Sequence, residues 1–100
     1  MRVIVCGAGK VGTSIAEQLV NQNNDVTVID QSQDLISKIS EEIDLNTIIG
    51  SASNPSVLEK AGAKDADMII AVTLQDEINM VACQMAVSYT HLTLPTTPYV

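Results

Sequence analysis

The chain has 100 residues, enough for one domain or a piece of one, and 46% of them are apolar, so a core is feasible. With no Phe and no Trp that core must be aliphatic. The net charge of −7 comes from twelve acidic and five basic residues scattered along the chain, which supplies no basic stripe for nucleic acid and no polybasic segment for anionic lipid. The charge serves solubility.

Arg2 to Cys6 is a continuous apolar run, as expected of a central parallel strand. Gly7-Ala8-Gly9-Lys10-Val11-Gly12 follows it and opens an amphipathic helix. Helical period places Val11, Ile15, Ala16, Leu19 and Val20 on the inner face, and Thr13, Ser14, Glu17, Gln18 and Asn21 on the outer one. Asn21 to Asn24 is a polar break. Val26 to Ile29 form a second strand that ends at Asp30. Ser32 is placed to cap the next helix, Asp34 complements its dipole, and Leu35, Ile36, Ile39 and Ile43 form its buried face. Asn46 to Ile49 is a short third strand, followed by the small-residue turn Gly50-Ser51-Ala52-Ser53. Asn54 and Pro55 read as N-cap and first residue of a short helix with Val57, Leu58 and Ala61 inward, stopped by Gly62. Met68 to Val72 is the most apolar strand and ends at Thr73; Asp76 and Glu77 start a fourth helix.

The order βαβαβαβα, with right-handed crossovers, predicts an α/β fold: a Rossmann-like doubly wound parallel sheet in strand order 3-2-1-4, truncated after the fourth βα unit. The switch point then falls between strands 1 and 4, at the glycine loop. Residues 88–100 differ in character. No charged residue occurs after Glu77, and both tyrosines, the one His and two of three prolines lie between Ser88 and Val100. This tail resembles the foreign read-through endings of truncated sequences, so the domain is expected to span 1–87.

In strand–turn–helix context the three glycines have separate tasks. Gly7 permits the tight turn, Gly9 leaves space for a pyrophosphate, and Gly12 lets the helix approach the strand. Asp30, 18 positions past Gly12, is placed to accept hydrogen bonds from ribose hydroxyls. A 2′-phosphate would meet this carboxylate, and the next residue is Gln31 rather than an Arg, so NAD(H) is expected over NADP(H). Gly50-Ser51-Ala52 reads either as the adenine side of the cleft or as an ordinary strand-to-helix turn. Lys10 reads as a solvent-facing helix-start residue or as one that approaches a phosphate. Thr73 faces the loop across the switch point; Glu77 and Asn79 are rim polar groups or surface residues. No catalytic constellation stands out: the one His is in the tail, and Asp65 with Asp67, and Glu41 with Glu42, read as solvated turns and helix ends. Cys6 and Cys83 are far apart and read as buried, reduced thiols of a cytosolic protein without a secretion signal.

Several motifs in order also resemble a known family. They are Gly7 to Gly12, Asp30, Gly50-Ser51-Ala52, Glu59 to Asp67, Ala71-Val72-Thr73 and Asp76 to Met80. The family is that of cytosolic nucleotide-binding domains that regulate potassium channels and transporters, among them the N-terminal domains of Trk-system potassium uptake proteins. The resemblance covers about residues 1–87. It implies a peripheral, homo-oligomeric regulatory subunit on the inner face of the plasma membrane. The subunit would be bound to a membrane potassium transporter without inserting in the membrane, sensing nucleotide and gating transport, and it would be no enzyme. It implies NAD(H) at Gly7, Ala8, Gly9, Lys10, Val11, Asp30, Thr73 and Leu74, with Ser51 and Ala52 near the adenosine, or ATP or ADP in the same cleft. Many relatives carry Asp at the position of Ser51. Two other readings stay open: an N-terminal fragment of a NAD-dependent dehydrogenase, and a dimerisation module with a vestigial cleft.

Overall fold

Alternate residues of the first strand enter opposite cores, and this sets the layering. The computed structural model describes residues 1–73, with strands β1 (Arg2–Cys6), β2 (Asp25–Asp30), β3 (Asn46–Ile49) and β4 (Met68–Ala71), and helices α1 (Lys10–Asn21), α2 (Gln33–Glu42) and α3 (Pro55–Lys60). Val3 and Val5 join Val26, Val28, Ala16, Ile36 and Ile39 beneath α1 and α2. Ile4 and Cys6 join Ile29, Leu58, Ala63, Ile69 and Ala71 on the α3 side. Both faces of β1 are thus covered, which is why it reads as an unbroken apolar run. Burying one such aliphatic side chain contributes about 1.5–3 kcal/mol.

The strands are parallel, in the order β3-β2-β1-β4. The expected doubly wound fold and strand order are what the chain adopts. Cys6 pairs with Ile29 and with Ala71, and Asp30 pairs with Ile49, so all four strands end at one edge of the sheet. Each pairing continues one step further into the connecting loops. Gly7 N donates to Ile29 O, Val72 N to Cys6 O and Gly50 N to Asp30 O, at 2.8–2.9 Å. The first residue past β1, β3 and β4 is therefore fixed by the ladder.

The helix signals act as expected. The Ser32 hydroxyl accepts from Leu35 N at 3.3 Å and Asn54 Oδ1 from Ser56 N at 2.9 Å, which caps α2 and α3. Gly62, just past α3, has φ +89°. At the opposite edge, Arg2 N donates to Asp67 Oδ2 at 2.9 Å and Asp67 N to Arg2 O at 2.8 Å, which ties β1 to the entry of β4. Asp65 lies 3.9 Å from the Arg2 guanidinium with both side chains exposed, a pair worth little. These acids belong to the sheet floor, as expected of solvated turn residues.

Three expected facings are corrected. Val11 is 57% exposed and Leu35 is 37% exposed, although helical period puts both inward. Each lies in the first turn of its helix, beyond the end of the strands, where no sheet lies beneath it. Thr13, expected outward, is half-buried, and its hydroxyl donates to Ala8 O at 3.1 Å. The fourth helix, Leu74, Glu77, Asn79, Cys83 and the 88–100 tail lie outside the described residues.

Candidate functional site

The four strand ends open onto a cleft of ≈ 620 Å³, within the range of small-molecule sites. Gly7, Gly9, Lys10 and Val11 form one wall. Asp30, Gln31, Ser32 and Leu35 form a second. Gly50 and Ala52, and Val72 and Thr73, close the sides.

The glycine loop is built as its spacing predicts. Gly7 has φ +126°, and an added Cβ would lie 2.9 Å from Val72 O, so only glycine fits. A Cβ on Gly12 would overlap the Gly7 carbonyl oxygen, because the first turn of α1 lies directly on the turn that leaves β1. Gly9 is the opposite case: a Cβ there would meet nothing within 4 Å. The space above Gly9 belongs to the cleft.

The start of α1 differs from those of α2 and α3. Gly9 is its N-cap and no side chain caps it, whereas Ser32 and Asn54 cap the other two; like α3, it has no acidic residue in its first turn. The first intrahelical bond is Thr13 N to Gly9 O at 2.8 Å. The amides of Lys10, Val11 and Gly12 consequently have no intrahelical acceptor. They bring about half a positive elementary charge to the cleft wall. Lys10 is exposed beside them.

Asp30 stands beside the loop, half-buried at the end of β2. Its Oδ2 accepts from Ala8 N and its Oδ1 from Ser32 N, each at 2.8 Å. The second bond is an Asx turn that leads the chain from β2 into the α2 cap. The first was not legible in the spacing, which pointed only to a ligand. A carboxylate has about four acceptor sites, so two bonds leave room for hydroxyl donors from the cleft.

The remaining expected residues divide. Ala52 is buried and lines the cleft beside Gly50. The Ser51 hydroxyl turns inward to its own loop, 2.7 Å from Ser53 Oγ and 3.2 Å from Ser53 N. Ala8 and Gly12 support the loop from behind, while Thr73 reaches the cleft wall. The spacing did not single out Gln31, Ser32, Leu35 and Val72 as cleft residues. The signal available was their position immediately after, or within a turn of, a strand end.

Together, a parallel 3-2-1-4 sheet, a glycine loop at its switch point and an acid at the end of β2 define a Rossmann-like nucleotide-binding domain. Residues 3–95 match the family described as the TrkA-N domain, and the chain belongs to that family. It is 50% identical over 96 residues to the Trk system potassium uptake protein TrkA of Haemophilus influenzae, covering 96% of this chain and 20% of that protein. It is 37% identical over 86 residues to a TrkA homolog of Pyrococcus abyssi, covering 38% of it. The chain thus spans about a fifth of the longer curated relatives it matches. Among solved structures it resembles the Kef CTD of Shewanella denitrificans in AMP-bound form, with a TM-score of 0.82 at 24% identity, over 96% of this chain and 58% of that one. It also resembles the GsuK channel bound to NAD, with a TM-score of 0.80 at 19% identity, over 95% of this chain and 17% of that one. These likenesses are of fold.

Proposed function

We propose that the cleft binds NAD(H), with ATP or ADP as the competing ligands, and that the chain is the nucleotide-sensing part of a cytosolic regulator of potassium uptake. One observation carries the reading. The open surface at Gly9, the uncapped start of α1 and the Asp30 carboxylate line a single cleft. The amides of α1 receive a pyrophosphate, and Asp30 accepts the adenosine ribose hydroxyls while refusing a 2′-phosphate. Gly50 and Ala52 leave room for a flat base.

The 50% identity to Trk potassium uptake proteins supports a role in potassium transport. In this reading the chain is no enzyme. It acts by biasing a partner, a membrane potassium transporter on whose cytoplasmic side it assembles as a homo-oligomer. Among the described residues no helix is long and apolar enough to cross a membrane, and no group of three or more His, Cys, Asp or Glu could hold a metal ion. Bound nucleotide alters transport only insofar as it binds two arrangements of the assembly with different affinity. We place the core of the domain in residues 1–87 and propose that 88–100 is not native to it, although the family match runs on to residue 95.

A thermal-shift panel with NAD, NADH, NADPH, ATP and ADP tests the reading. Stabilisation by NADH, larger than by NADPH, is expected. No shift with any adenine nucleotide would refute it.

A further inference from the structure

The glycine loop is held in shape by hydrogen bonds within the protein, and Ala8 is where it is held. Its N–H donates to Asp30 Oδ2 at 2.8 Å, and its carbonyl accepts from the Thr13 hydroxyl at 3.1 Å. One residue earlier, Gly7 N donates to Ile29 O at 2.8 Å. Two consecutive amides of the loop are thereby bound to the end of β2, the first by backbone and the second by a side chain. Asp30 adds one rung to the β1–β2 ladder at the point where the two chains separate. Its other oxygen is anchored by Ser32 N at 2.8 Å, so the carboxylate is itself fixed.

We propose that Asp30 is a positioning residue for the glycine loop, acting through the Ala8 amide, so that Ala8 is an anchor and the amides offered to a ligand begin at Gly9. The role is additional to ribose recognition and separable from it. Ribose recognition requires hydroxyl groups on the ligand; loop positioning does not. The two roles also differ in sign for an anion. Removing a carboxylate from beside a phosphate site relieves Coulomb repulsion and by itself tightens binding. Removing a clamp loosens the donors that receive the phosphate and weakens binding.

The first test needs no ligand. In the isotope-labelled full chain, a scalar coupling across the hydrogen bond is expected between the Ala8 amide nitrogen and the Asp30 carboxyl carbon. In Asp30→Ala, hydrogen exchange at Ala8 should accelerate about tenfold relative to the amides of Val3 to Val5, the loss expected for one charge-assisted bond. Asp30→Asn keeps one carbonyl oxygen, so it should expose either the Ala8 or the Ser32 amide. Absence of the coupling in the natural chain, or unchanged Ala8 exchange in folded Asp30→Ala, would overturn the proposal. Absence of the wild-type coupling overturns the proposal even if both variants fail to fold.

The second test rests on the adenine-nucleotide reading. The probe is 2′,3′-dideoxy-ADP, which has no ribose hydroxyl for Asp30 to recognise. Asp30→Ala should bind it about tenfold more weakly than the natural chain, against the Coulomb expectation. Equal or tighter binding would overturn the clamp and leave Asp30 a ribose ligand alone. Asp67→Ala, which removes a carboxylate that bonds the Arg2 amide at the other edge of the sheet, is the control for general loosening. An equal loss in that variant would also overturn the proposal. Should the natural chain bind neither ADP nor its dideoxy form, the nucleotide reading fails, and the Ala8 coupling still decides the clamp.

Discussion

The α-carbon of Gly12 is pressed so closely on the Gly7 carbonyl that a methyl group there would overlap its oxygen. The contact joins the first turn of α1 to the turn leaving β1, and neither side of it is a movable side chain. Gly12→Ala gains up to about 1 kcal/mol of helix propensity. Against this stands an overlap with backbone, where overpacking costs roughly 1–3 kcal/mol or more. A net loss of up to about 2 kcal/mol follows, read as a lower urea midpoint. A raised midpoint would show that α1 is free to lift off the loop.

Gly9 predicts the reverse. Nothing lies within 4 Å of an added Cβ, and its backbone is extended with negative φ. Gly9→Val should cost no more than about 1 kcal/mol, because its Cβ meets no other atom and the change at the N-cap of α1 is the one loss expected. It should lower nucleotide affinity by at least about tenfold, because the side chain fills the space expected for pyrophosphate. Retained tight binding would remove Gly9 from the ligand path.

The ribose role of Asp30 is read from a ratio, which cancels any loosening of the loop common to both ligands. NADPH adds a phosphate beside this carboxylate, so Asp30→Ala should narrow the preference for NADH over NADPH by roughly tenfold. An unchanged ratio would mean that the 2′ position lies away from Asp30.

Stability away from the cleft should follow burial and ignore surface charge. Leu58 is fully buried in the α3-side core, and Leu58→Ala should cost about 2–5 kcal/mol. Asp65 meets Arg2 at 3.9 Å with both side chains well exposed, and Asp65→Asn should cost less than about 0.5 kcal/mol. Chemical denaturation of the pair checks both values. A larger loss from Asp65 than from Leu58 would show that the floor of the sheet, rather than its core, holds the fold together.

These contrasts also show what the residues disclose when read alone. The apolar run Val3 to Cys6, the glycine spacing and Asp30 identify the sheet order and the cleft, because each reports a constraint of the backbone. Facing at Val11 and Leu35 was not legible. Helical period reports which residues share a stripe, but the first turn of each helix overhangs the strand ends, and there the stripe has no sheet to cover. The Ala8–Asp30 bond was hidden for a different reason. It links residues 22 positions apart, and an acid at the end of β2 reads from its spacing as a ligand group alone. Ser51 shows the same effect at short range, since its hydroxyl closes its own turn through Ser53.

Calorimetric titration of NADH into the full chain, with Gly9→Val alongside, tests nucleotide binding at the glycine loop most directly. Saturable binding at one site per chain, lost in Gly9→Val while that variant stays folded, is the predicted result. No heat of binding in the natural chain, or equal binding in the two, would contradict it.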